Sequence, residues 1–302
     1  MAKKRKGPSE RKQKVRQYVK ENRGMLTVYV VLRLLVVSVM IAQLFNRDYF
    51  NAFLCALTLV LFTIPAFIEH KLNIDVPNTL EVIILLFIFS AEILGEIRSY
   101  YLQFPYWDTM LHTINGFLMA AIGFSLIDIL NRSEGVALNL APIFVGLFAF
   151  CFSMTVGVLW EFFECFMDLN FGLGMQKDTV IHAIHTVSLD PTLSNKVVTI
   201  PDIQDVVING ESLGLGGYLD IGIIDTMKDL FVNFIGAVVF SVTGFLYVKS
   251  KGRKKSAAQS FVPSKKTAER DYLQQALEEV MQEEEQPPAQ EGPSASGEPE
   301  GA

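Results

Sequence analysis

The chain has 302 residues, half of them hydrophobic, with a mean hydropathy of +0.32. A water-soluble domain of this length is rarely so apolar, and the apolar residues come in runs rather than in a surface-and-core period. The net charge of −6 hides an asymmetry: basic residues flank the apolar region at both ends, while acids gather in one long loop and at the far C-terminus. No glycine-rich nucleotide fingerprint is present, which argues against an ATP-driven pump.

Residues 1–24 hold ten Lys and Arg against two Glu. Such a basic segment suits anionic lipid headgroups better than nucleic acid. Six apolar runs follow, at about 25–45, 50–68, 79–98, 107–130, 141–167 and 225–248, each near the ~20 residues that cross a ~30 Å hydrocarbon core. The first lacks a small-x-small cleavage site and reads as a retained anchor. The second carries Pro65, and the third carries Glu92 and Glu96. Cys55, Cys151 and Cys165 lie inside apolar runs and suggest no disulfide framework.

The expected fold is therefore all-α, a polytopic transmembrane helix bundle of about six spans over residues 25–248. Basic residues before the first span and in "KSKGRKK" after the last put both termini in the cytoplasm, which an even number of spans satisfies. The expected location is a bacterial plasma membrane. A loop of ~50 residues, about 169–218, then faces outward. Its "KVVTI" and "DVVING" read as short strands, and Asn209-Gly210 as a hairpin turn. Residues 249–302 form a cytoplasmic tail, with a short charged helix and an end too polar to fold.

Polar residues cluster at one depth. The fourth run opens with Asp108, His112 and Asn115; the fifth ends with Glu161, Glu164 and Asp168; the sixth opens with Asp225, Asp229 and Asn233. Each set has helical i, i+3, i+4 or i+7 spacing and marks one face. With Glu92 and Glu96, four helices carry polar stripes near their outer ends, which predicts one shared, hydrated site. Gly116, Ala120 and Gly123 on the fourth span, with Gly236 and Gly244 on the sixth, would let the backbones approach.

Packed carboxylates repel one another, and a divalent cation relieves this. Asp108, His112, Glu161, Asp225 and Asp229 are the candidate ligands, a mixed oxygen and nitrogen set that suits Zn, Mn or Fe. Glu164 is the candidate general base and Asn233 a further candidate catalytic group. Plainer readings exist for each group. The polar residues would also serve as interhelical hydrogen-bond glue, and Asp108 and Asp225 as helix N-caps. His182 and His185 read as a solvated pair, and Lys228 as a partner of Asp225 or Glu164, or of a lipid headgroup.

The strings "YWDTMLHTINGFLMAAIGF", "WEFFECFMD", "GMQ" and "GYLDIGIIDTMKDLFVNFIGA" together resemble the YjdF-like family of bacterial integral membrane proteins, over about residues 25–248. The order Asp–His, then Glu, then Asp–Asn–Gly is more weakly similar to the VanZ-like membrane proteins. By that resemblance Asp108, His112, Glu161, Glu164, Asp225, Asp229 and Asn233 are the positions that matter. Neither family implies a particular reaction. Three functions fit: a metal-dependent enzyme acting on a lipid or envelope precursor, a proton-coupled transporter using the acids as a relay, and a non-catalytic membrane scaffold.

Overall fold

A computed structural model describes residues 8–72, 74–131, 140–249, 261 and 264–265. It is mostly helical, in nine α-helices and one π-helical stretch among the described residues. Contacts divide the chain into two units, one formed by 1–28 with 266–302 and the other by 29–265. In the first, helix α1 spans Pro8–Glu21. The expected tail helix and the polar C-terminal end lie outside the described residues.

Five helical segments are long and apolar enough to cross a membrane: Arg23–Phe45, Tyr49–Glu69, Trp107–Ile127, Pro142–Phe171 and Ile223–Lys249. They begin with α2 (Arg23–Phe45). The second is broken into α3 (Tyr49–Leu61) and α4 (Ile64–Leu72). Proline at position 65 lacks the N–H that a continuous helix would use. The chain turns tightly there, with the Thr63 N–H and hydroxyl both donating to the Val60 carbonyl.

The third expected span, 79–98, is not one of these five and is not a uniform α-helix. Helix α5 (Asn78–Phe89) passes into a π-helical stretch, Ser90–Ile97. Its wider winding shows in the Arg98 N–H bonding five residues back to Ile93. Ser99, in the left-handed conformation, then reverses the chain into the short helix α6 (Tyr100–Gln103). The Trp107 indole donates back to the Ser90 carbonyl at 3.3 Å.

Helices α7 (Trp107–Asn131), α8 (Pro142–Phe171) and α9 (Ile223–Lys249) pack more extensively on one another than any other elements do. Lipid tails are as apolar as leucine, so close approach, rather than hydrophobic burial, holds such helices. A Cβ at Gly116 would overlap the Asn233 carbonyl, and one at Gly236 would overlap the Thr113 carbonyl. Gly123 and Gly244 likewise receive the rings of Phe152 and Phe124. The expected small-residue seams therefore exist, as true backbone crossings. Below them Ala120, Ala121, Phe124, Val145, Ala149, Ala237 and Phe240 form a fully buried core.

Helix α8 runs past its expected end to Phe171, where Gly172 at φ +63° caps it, so the long loop spans 172–222. This loop is ordered by three antiparallel pairs: β1 (Val180–Ile181) with β6 (Tyr218–Leu219), β2 (Ile184–Thr186) with β3 (Val198–Ile200), and β4 (Val207–Ile208) with β5 (Glu211–Ser212). The expected Asn209-Gly210 turn closes the last pair, both residues having positive φ.

Candidate functional site

Three helix ends meet where the long loop begins and ends. The first turns of α7 and α9 and the last turns of α8 bring their polar stripes together. His112 sits between them, almost fully buried. Its Nε2 lies 3.5 Å from Asp108 Oδ1 and 4.0 Å from Asp229 Oδ2, and its Nδ1 lies 3.7 Å from Glu161 Oε1. These gaps are too long for good hydrogen bonds. The two gaps at Nε2 match the ~3–4 Å between ligands that share one ion at ~2.1 Å, whereas Glu161 lies at the other ring nitrogen. One donor atom each from Asp108, His112 and Asp229 falls within 4.8 Å of the others, an arrangement that could hold a metal ion.

Burial sharpens the point. Asp229 is 3 % exposed, Glu161 4 % and Glu164 8 %. An acid placed well inside a membrane helix costs on the order of 3 kcal/mol. Glu161 also keeps one oxygen, Oε2, buried with no hydrogen-bond partner. A shared cation would offset both penalties.

The other expected site residues take distinct places. Glu161 approaches the opposite edge of the imidazole from the two aspartates. Glu164 accepts the Trp160 indole N–H at 2.8 Å. Asp225 accepts the Lys177 backbone N–H at 2.6 Å. Asn233 lies at the helix crossing, 1 % exposed, accepting from Asn115 at 3.3 Å and directing its own N–H₂ to the Met154 sulfur at 3.7 Å. A Cβ at Gly157 would come within 2.7 Å of that amide nitrogen. Lys228 is exposed and, among the described residues, makes neither expected ion pair. His182 and His185 are exposed, as expected, and meet the Ile203 carbonyl and the Thr199 hydroxyl within the loop.

Tyr101, Gln176, Lys177 and Thr226 complete the surroundings and were not singled out from sequence. Asp168 takes the amides of Met175 at 2.6 Å and Gln176 at 2.8 Å. The Gln176 side chain donates to the Thr226 hydroxyl. The Lys177 ammonium lies 5.8 Å from the Tyr101 ring centre. Tyr101 fills the notch left by Gly95. Burial, with the charges of Asp108, Glu96, Glu92 and Glu164, holds its phenol far above the usual range. Glu92 and Glu96 therefore border the centre from the π-helical stretch without entering the three-residue group.

A family model described as "Predicted membrane protein (DUF2238)" matches residues 27–250. The chain belongs to this family. The match runs from early in the first span to the end of the last, takes in the loop and every residue of the DUF2238 centre described above, and leaves out the basic start and the tail. Comparisons with curated proteins and with solved structures return no match.

Proposed function

We propose that this DUF2238 protein is a multi-pass protein of the bacterial plasma membrane, both termini cytoplasmic, whose centre binds a divalent metal and acts on a lipid or envelope precursor. The observation that carries the reading is the placement of Asp108 and Asp229 oxygens around His112 Nε2 at ligand-to-ligand distances, with His112 and Asp229 buried. The oxygen and nitrogen donor set suits zinc, manganese or iron. Such an ion supplies Lewis acidity toward a carbonyl or phosphoryl oxygen.

The chain's own groups divide the work. Asp108, His112 and Asp229 hold the ion. Glu161, 3.7 Å from His112 Nδ1, lies behind the imidazole edge that faces away from the ion and favours the tautomer with Nε2 toward it. Glu164, the acid whose partner is only an indole N–H, is the proton acceptor. Asn233, bonded on both sides, holds the crossing of α7, α8 and α9 rather than reacting. The YjdF-like and VanZ-like resemblances support the same positions. The basic start binds anionic headgroups on the cytoplasmic leaflet.

Elemental analysis of gently purified protein tests the reading. About one zinc, manganese or iron per chain is expected, with loss of the metal in His112→Ala and Asp229→Asn. Metal-free wild type that also fails to take up added zinc, manganese or iron would sink it.

A further inference from the structure

We infer that the substrate of this centre is a membrane amphiphile that enters sideways from the lipid, because the loop segment 174–177 roofs the centre against water. The inference rests on the proposed function above and adds the substrate's route and class.

The roof is fastened at three points around the centre. On one side, Asp168 at the end of α8 holds the Met175 and Gln176 amides. On another, Asp225 and Thr226 at the start of α9 hold the Lys177 amide and the Gln176 side chain. On the third, the Lys177 ammonium lies over Tyr101, which is itself seated on Gly95 of the π-helical stretch. The same ammonium donates to the Gly174 and Met175 carbonyls at 2.8 and 3.0 Å, which stiffens the segment. Gln176 also packs on Gly222, where a Cβ would come within 2.7 Å of it. A loop tied by this many bonds, four of them to carboxylate or hydroxyl groups on the helices beneath, behaves as a lid held shut.

The floor is closed as well. Directly below lie Leu111, Leu118 and Asn233, each no more than 3 % exposed, and the Gly116 and Gly236 crossings leave no gap between α7 and α9. One flank stays open to the lipid-facing surface. Trp160 is 44 % exposed, as are Leu159, Phe162, Phe163 and Phe166 to similar or greater degree, yet its N–H reaches Glu164, which is 8 % exposed. A buried carboxylate is thus one hydrogen bond away from an apolar exterior face. An amphiphile lying along α8 can bring its polar head to Glu164 by displacing the indole, without its chains leaving the bilayer.

Two carbodiimides on metal-stripped protein in lipid nanodiscs test the route, because both modify carboxyl groups and only dicyclohexylcarbodiimide dissolves in the bilayer. Peptide mass spectrometry reads the product. The expected result is modification of Glu164, Glu161 or Asp229 by the lipid-soluble reagent, with the water-soluble one leaving them intact. Asp168→Ala, which unties the roof, is expected to open these acids to the water-soluble reagent. Wild type modified equally by both reagents, or by neither, overturns the inference, as does a folded Asp168→Ala that still excludes the water-soluble reagent. Metal content is measured separately, so a centre that binds metal beneath an open roof, or a sealed centre that binds none, tells the two proposals apart.

Discussion

Acids in the loop and acids in the bundle live under opposite rules. In the loop, Asp190 accepts from the amides of Thr192, Ser194 and Lys196 and from the hydroxyls of Thr192 and Ser194. Asp220 accepts from the amides of Thr179, Gly222 and Ile224. These two loop acids are saturated by their own neighbourhoods, and their task is to shape the chain. In the bundle, Asp108, Glu161 and Asp229 share one imidazole at 3.5 to 4.0 Å, and Glu161 leaves an oxygen bare. The loop acids have their oxygens taken up by donors, whereas the bundle group keeps the Glu161 Oε2 open to a cation. That contrast, more than the number of acids, separates structure from site.

The largest test of the contrast concerns the framework that makes the bundle acids converge. Gly236→Ala forces a methyl into the Thr113 carbonyl and should destabilise the protein by about 3 kcal/mol or more, since overpacking usually costs ~1–3 kcal/mol and backbone yields less than side chains. Gly24→Ala, with nothing within 4 Å, should be neutral or slightly stabilising. Thermal denaturation of both variants in detergent reads the difference; equal behaviour would mean that the crossing is looser than described. A smaller effect is expected from Glu161→Gln, which keeps a side chain of the same shape beside His112 Nδ1. Metal should be retained with about 10- to 100-fold weaker affinity, the usual loss for a group behind a ligand. Complete loss, as in His112→Ala, would make Glu161 a direct ligand.

Much of this arrangement was legible in the chain. Asp108 and His112, Glu161 and Glu164, Asp225 and Asp229 stand at helical spacing, so a shared face follows from periodicity alone. Gly116 and Gly236 announce close packing because few other residues permit it. The division of the acids was not legible. Whether a carboxylate meets Nε2 or Nδ1 of one imidazole depends on helix rotation, which spacing does not specify. The roof was hidden for another reason: Gln176 meets Thr226, and Lys177 meets Asp225, across some 50 positions of loop. The string "GMQ" was the one visible trace, as part of a family pattern rather than as a contact. The π-helical winding of Ser90–Ile97 has no local sequence rule to betray it.

The smallest expected effect is a change with pH confined to the loop. The Thr192 hydroxyl, then the Thr192, Lys196 and Ser194 amides, hold Asp190 well below the usual carboxylate range. The Ser212 hydroxyl does the same for Asp205. Burial pushes Asp220 upward, but the Thr179, Ile224 and Gly222 amides outweigh it and leave it lowered. A carboxylate depressed in the folded state adds stability that is fully present above its unfolded value, near ~3.9 for Asp, and is lost as pH falls through the lower folded value. The loop should therefore keep its order down to about pH 4 and loosen below it. Hydrogen exchange across 186–222 should rise in that window while the core of α7, α8 and α9 stays protected. Asp190→Asn should raise exchange at 190–196 already at neutral pH and flatten the acid response there. If α7 to α9 opened first on acidification, the loop acids would not be the structural set, and the division between saturated and waiting carboxylates would fail.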